Sequence, residues 1–187
     1  MNIIKIFLAS SLFCAAFFIF TPQHMNAQVS PEAARLLRSA NVQVFDKPAS
    51  PPAFVLPLLS GWNASLASYK SKVVLLNFWA TWCPPCRSEM PSMEALYQRY
   101  KNQGLEILAV DLGEDTATVK QFISDNRYTF PVMLDSNGNV GNTYGVRGIP
   151  TTYIIDRQGM IIGIVNGAIH WDTPQIITAF EALLNSR

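Results

Sequence analysis

Two cysteines separated by two prolines, Cys83-Pro84-Pro85-Cys86, are the residues of this chain best suited to covalent chemistry. A thiolate attacks a disulfide sulfur, and a second thiol one helical turn away can attack the mixed disulfide and release the product. The chain has three cysteines in 187 residues. The third, Cys14, lies in an apolar N-terminal stretch, so Cys83 and Cys86 have only each other as partners for a redox disulfide. The same spacing serves other chemistries. A structural zinc site takes four Cys or His ligands, but there is no second Cys pair, and the two histidines are His24 and His170. A permanent structural disulfide would close too small a loop for much entropic gain. Copper held by Cys83, Cys86 and His170 is a further alternative, since thiolate and imidazole suit that metal. Peroxidase chemistry fits so close a cysteine pair less well than disulfide exchange does. Disulfide exchange by Cys83 and Cys86, with no metal and no cofactor, is the expectation.

The dithiol lies where one sequence period gives way to another. Val73–Trp79 is a nearly continuous apolar run rich in Val, Leu and aromatics, as in a strand covered on both faces. Beyond it Met90, Met93, Leu96, Tyr97 and Tyr100 recur at three- and four-residue steps, an amphipathic helix that stops near Gly104. Cys83 therefore falls at the N-cap, its sulfur at the positive end of the helix dipole where a thiolate is stabilised. Cys83 is expected to be exposed and Cys86 sheltered. Pro84 and Pro85 each remove an N–H from the first turn, so that stabilisation is modest and the pair is expected to act as a reductant. Trp82 places a large flat ring beside the sulfur and is a candidate substrate contact. Residues 105–110 read as a second buried strand, 118–126 as a short helix and 131–134 as a short strand. Thr151–Ile155 and residues 160–165 read as strands joined by the turn Asp156-Arg157-Gln158-Gly159, and 174–184 as a closing helix. Parallel neighbours require crossover helices, so this order describes an α/β domain, a mixed central sheet with helices on both faces.

Lys5 precedes an apolar run at residues 6–20, interrupted by Ser10 and Ser11, which reads as an export signal. Its length falls between a signal-peptide core and the ~20 residues that span a bilayer, leaving a cleaved leader and an N-terminal membrane anchor both open. Residues 1–27 are taken as this segment, 28–52 as a polar, proline-punctuated connector outside the core, and 53–187 as the folded domain. Within the connector, Ser30-Pro31-Glu32 followed by Ala33, Ala34, Leu36 and Leu37 carries the marks of a short helix. A formal charge of +1 without any cluster of Lys or Arg argues against nucleic acid as a partner.

The stretch Asn77-Phe78-Trp79-Ala80-Thr81-Trp82-Cys83-Pro84-Pro85-Cys86-Arg87-Ser88-Glu89-Met90-Pro91 resembles the active-site signature of the TlpA/ResA/CcmG (DsbE)-like branch of the thioredoxin-like superfamily. Gly145-Val146-Arg147-Gly148-Ile149-Pro150-Thr151-Thr152 resembles its second signature, and the likeness covers residues 54–187. The order of elements fits the thioredoxin fold. The resemblance implies a cis peptide at Pro150, facing the dithiol, with the backbone of Ile149 pairing an extended substrate segment. It also implies that Glu89 is a buried acid near the dithiol that moves protons to and from the thiols. Cytoplasmic thioredoxins carry an Asp where this chain has Asn77, which cannot titrate, so proton relay falls to Glu89 or to water. Members of this branch are extracytoplasmic reductases of protein disulfides, often acting on apocytochrome c before haem attachment and re-reduced by a membrane electron donor. That function, in a monomer near the membrane, is the first expectation. A general oxidant or isomerase of secreted proteins and a non-catalytic copper chaperone are the alternatives.

Overall fold

The computed structural model describes residues 29–185; the segment 1–27 read as an export signal, Cys14 included, lies outside the described residues. In chain order the elements are α1 (Pro31–Ser39), β1 (Gln43–Ala49), β2 (Val55–Pro57), β3 (Asn63–Ser65), β4 (Val73–Trp79), α2 (Pro84–Tyr100), β5 (Leu105–Leu112), α3 (Thr116–Asn126), β6 (Val132–Asp135), α4 (Asn139–Thr143), β7 (Thr151–Ile155), β8 (Ile161–Asn166) and α5 (Pro174–Asn185). Six strands form one mixed sheet in the order β1-β8-β7-β4-β5-β6, and β2 pairs with β3 in a separate hairpin. β4 is parallel to β5 and β5 to β6, through the crossovers α2 and α3, whereas β7 lies antiparallel to β4. β4 is buried at every position, which is why its sequence is continuously apolar.

The sheet separates two cores, and alternate residues of β4 serve each. On one side Val73, Leu75 and Trp79 pack with Met90, Met93 and Leu96 of α2, Val119 of α3, Phe180 of α5 and Leu37 of α1. On the other, Val74, Leu76 and Phe78 pack with Phe54, Leu56, Tyr144 and Tyr153. The β2–β3 hairpin and the short α4 cover this second face. Both cysteines belong to the first core. Among the described residues no helix is long and apolar enough to cross a membrane.

The segment read as a connector outside the core is corrected by this arrangement. Ser30 caps α1, its Oγ accepting from the Ala33 N–H at 3.2 Å, and α1 buries Ala33, Ala34 and Leu37. β1 then joins the sheet antiparallel to β8. The strand was hidden in the sequence because it lies at an edge. Its side chains are mostly exposed or half-buried, and an edge tolerates Pro48 and needs no clean alternation. α3 also starts earlier than the periodicity suggested, at Thr116, because Asp115 caps it by accepting from the Ala117 and Thr118 N–H groups.

Candidate active site

β4 brings the chain to Trp79, and residues 80–82 turn it into α2, with the Cys83 N–H donating to Ala80 O at 3.2 Å. Cys83 occupies the N-cap in an extended conformation (φ −88°, ψ 106°). Pro84 and Pro85 fill the start of the helix, where a missing N–H breaks no helical bond. The donor that reaches the Cys83 sulfur is the Cys86 N–H, 3.2 Å from Sγ. Cys83 and Cys86 form a disulfide with Cα atoms 5.3 Å apart, within the usual span of roughly 4.4–6.8 Å. Cys86 is inaccessible, as expected, but Cys83 is only 2% exposed, a correction to the sequence expectation. The cover comes from the loop before β7: Ile149 O lies 3.7 Å from Cys83 Sγ. Trp82, the residue before Cys83, is 66% exposed.

The Ile149–Pro150 peptide is cis. The loop that carries it is tied at both sides, by Thr151 Oγ1 donating to Gly148 O at 2.7 Å and by the Gly167 N–H donating to Pro150 O at 2.9 Å. Ile149 and Pro150 line a cavity of about 410 Å³ together with Arg147, Gly148, Asn166 and Gly167. A larger cavity, about 900 Å³, lies at the opposite end of the sheet, lined by Val74 near the start of β4 and Ile155 at the end of β7. Size alone therefore points away from the dithiol.

Glu89 is one turn beyond Cys86 on α2 and 1% exposed. Its Oε1 accepts from Asn77 Nδ2 at 2.9 Å, and its Oε2 from Trp171 Nε1 at 3.1 Å and the Ile169 N–H at 3.4 Å. Asn77 Nδ2 also donates to Thr152 Oγ1 at 2.8 Å, linking β4 to β7 behind the dithiol. Burial pushes the Glu89 carboxyl from its ordinary 4.5 up to about 7, against the pull of the hydrogen bonds from Trp171, Ile169 and Asn77. A carboxyl with that pKa exchanges protons readily at neutral pH.

The family model for AhpC/TSA proteins matches residues 49–164. The chain belongs to the AhpC/TSA family. Within it, the relatives place the protein in the TlpA/ResA/CcmG-like thioredoxin branch. The thiol-disulfide oxidoreductase ResA of Geobacillus thermodenitrificans (strain NG80-2) is 46% identical over 118 residues, 63% of this chain and 68% of that protein. Among solved structures, a thiol:disulfide interchange protein of the thioredoxin family from Chlorobium tepidum TLS superposes with a TM-score of 0.63 at 31% identity, over 72% of this chain and 98% of the other. StoA from Bacillus subtilis does so with a TM-score of 0.59 at 29% identity, over 70% and 99%. The protein is a thiol-disulfide oxidoreductase with a thioredoxin-like fold.

In this ResA-like oxidoreductase the structure brings Cys83, Cys86, Trp82, Ile149 and Pro150 to one end of the sheet, with Glu89 directly beneath on the same helix as Cys86. His170, the alternative copper ligand, is exposed, and among the described residues no group of three His, Cys, Asp or Glu side chains could hold a metal ion. Sequence reasoning missed Trp171 and Ile169. They lie 82 and 80 residues from Glu89 along the chain, and no local pattern announces that the turn before α5 folds back onto α2.

Proposed function

We propose that the protein is an extracytoplasmic reductase of protein disulfides. The Cys83 thiolate attacks one sulfur of a substrate disulfide, forming a mixed disulfide and expelling the other sulfur as a thiolate that takes up a proton. Cys86, deprotonated with Glu89 as the proton acceptor, attacks Cys83 Sγ and releases the second substrate thiol. The enzyme ends as the Cys83–Cys86 disulfide, and a membrane electron donor returns two electrons and two protons. Ile149 and Pro150 offer a backbone edge for the extended substrate segment, and Trp82 an apolar contact. The export signal read in the sequence supports the compartment, and the resemblance to the TlpA/ResA/CcmG branch supports apocytochrome c as the target.

The observation that carries the direction is the single first-turn donor to sulfur: with Pro84 and Pro85 ahead of it, the Cys86 N–H is left to stabilise the thiolate. A weakly stabilised thiolate corresponds to a low reduction potential, nearer the ~−270 mV of thioredoxin than the ~−120 mV of DsbA. A Cys86→Ala variant, unable to resolve the mixed disulfide, is expected to accumulate a covalent complex with its target, identifiable by mass spectrometry. Capture of apocytochrome c supports the specific role. A measured potential above about −180 mV, the value of disulfide isomerases, overturns reduction as the direction.

A further inference from the structure

Glu114 and Asp111 lie outside the machinery described above, yet they are placed where the chain enters it. Asp111 is fully buried on β5, in register with Trp79 on β4. Glu114 follows in the short loop to α3, and both its oxygens face the turn ahead of the dithiol. Oε2 accepts from the Thr81 N–H at 2.6 Å, and Oε1 from Thr81 Oγ1 at 2.5 Å. Thr81 stands two residues before Cys83. Among the described residues no Lys or Arg forms an ion pair with Glu114, so its carboxylate is balanced by these donors, and charge-assisted bonds of this kind are the strong ones.

The loop that carries Glu114 is itself held on three sides. The Gly113 N–H donates to Asp135 O at 3.2 Å, the Glu114 N–H donates to Asp111 Oδ1 at 3.2 Å, and Asp115 caps α3. Burial first, and then the adjacent Glu114 carboxylate, raise the Asp111 carboxyl to about 8. Asp111 therefore favours its protonated form at neutral pH, which spares the loop the repulsion of two ionised carboxyls in contact.

We infer that Glu114, anchored by Asp111, is a positioning residue for the dithiol: by gripping Thr81 from the end of β5 it fixes the turn that holds Cys83 Sγ over the Cys86 N–H. Loosening the grip withdraws the sulfur from that one donor. The attacking role of Cys83 is taken from the function proposed above and is tested separately by Cys83→Ser, which abolishes exchange if that role is right, whatever Glu114 does.

The test is the pH dependence of Cys83 alkylation by iodoacetamide in the reduced full-length protein, for wild type, Glu114→Ala, Glu114→Gln and Thr81→Val. Glu114→Ala is expected to raise the apparent thiol pKa and slow alkylation about tenfold at neutral pH, one pKa unit being tenfold in thiolate. Glu114→Gln, which still offers an acceptor to Thr81, is expected to recover most of that rate. Thr81→Val, losing one of the two bonds, falls between. Two results overturn the inference. If both Glu114 variants accelerate alkylation, the carboxylate acts only as a nearby charge opposing the thiolate. If the folded variants alkylate like wild type, Glu114 is structural only. Should Glu114→Ala fail to fold, the milder Thr81→Val decides, and an unchanged rate there refutes the grip.

Discussion

In Glu89→Gln the carboxyl whose pKa burial raises is exchanged for a neutral side chain of the same shape, and its effect on stability depends on pH in a direction fixed by the site. The carboxyl titrates near 4.5 in the unfolded chain and at about 7 in the fold. At 1.36 kcal/mol per pKa unit this difference amounts to about 3 kcal/mol. Below pH 4.5 the group is protonated in both states and contributes no pH dependence. Between about 4.5 and 7 the unfolded chain releases the proton while the fold retains it, so the fold loses stability as pH rises. Above about 7 the carboxylate is ionised in both states and the full penalty of burying it is present. Wild type is therefore expected to lose about 3 kcal/mol relative to Glu89→Gln between about pH 4.5 and pH 8. Urea unfolding of both oxidised proteins across that range measures the difference. Asp111 and Asp156, whose carboxyls are also raised by burial, are common to both proteins and cancel. A difference that stays within about 0.5 kcal/mol over the whole range would falsify the account of Glu89 as a carboxyl raised by desolvation.

Pro85→Ala restores an N–H to the first turn of α2, where it can donate to Cys83 Sγ alongside the Cys86 N–H. The thiol pKa should fall by about one unit, since a hydrogen bond to a charged group contributes roughly 1.5–3 kcal/mol, and the reduction potential should rise by about 30 mV for each tenfold in the equilibrium with glutathione. An unchanged potential would mean that the prolines do not limit the donors to sulfur. Phe78→Ala empties a fully buried site whose ring lies 5.4 Å from Tyr144 and 6.2 Å from Tyr153. It should cost about 3–5 kcal/mol in chemical denaturation. Because Phe78 faces the core opposite the dithiol, the folded variant should keep its rate of disulfide exchange in the cold.

The elements that are buried on all sides were legible in the sequence, because burial imposes composition. Val73–Trp79 is apolar throughout since both faces of β4 are covered, and α2 shows its inward stripe. The site at their junction was legible for the same local reason: a strand that ends at Trp79 and a helix that begins at Pro84 leave Cys83 at the N-cap whatever the rest of the chain does. β1 was not legible, since an edge strand with exposed side chains carries little pattern and its proline and polar residues read as linker.

The dithiol, its place at a helix N-terminus and the donors removed by Pro84 and Pro85 are thus properties of the sequence, set within a few consecutive residues. Tertiary structure alone decided the environment of those groups. It closed the Ile149–Pro150 loop over Cys83, so that a residue expected to be open is 2% exposed. It brought Trp171, Ile169 and Asn77 onto Glu89, and Glu114 onto Thr81. Burial and hydrogen bonding at these points arise between residues tens of positions apart, and desolvation, which raises the Glu89 carboxyl to about 7, depends on everything that packs around a group rather than on its neighbours along the chain.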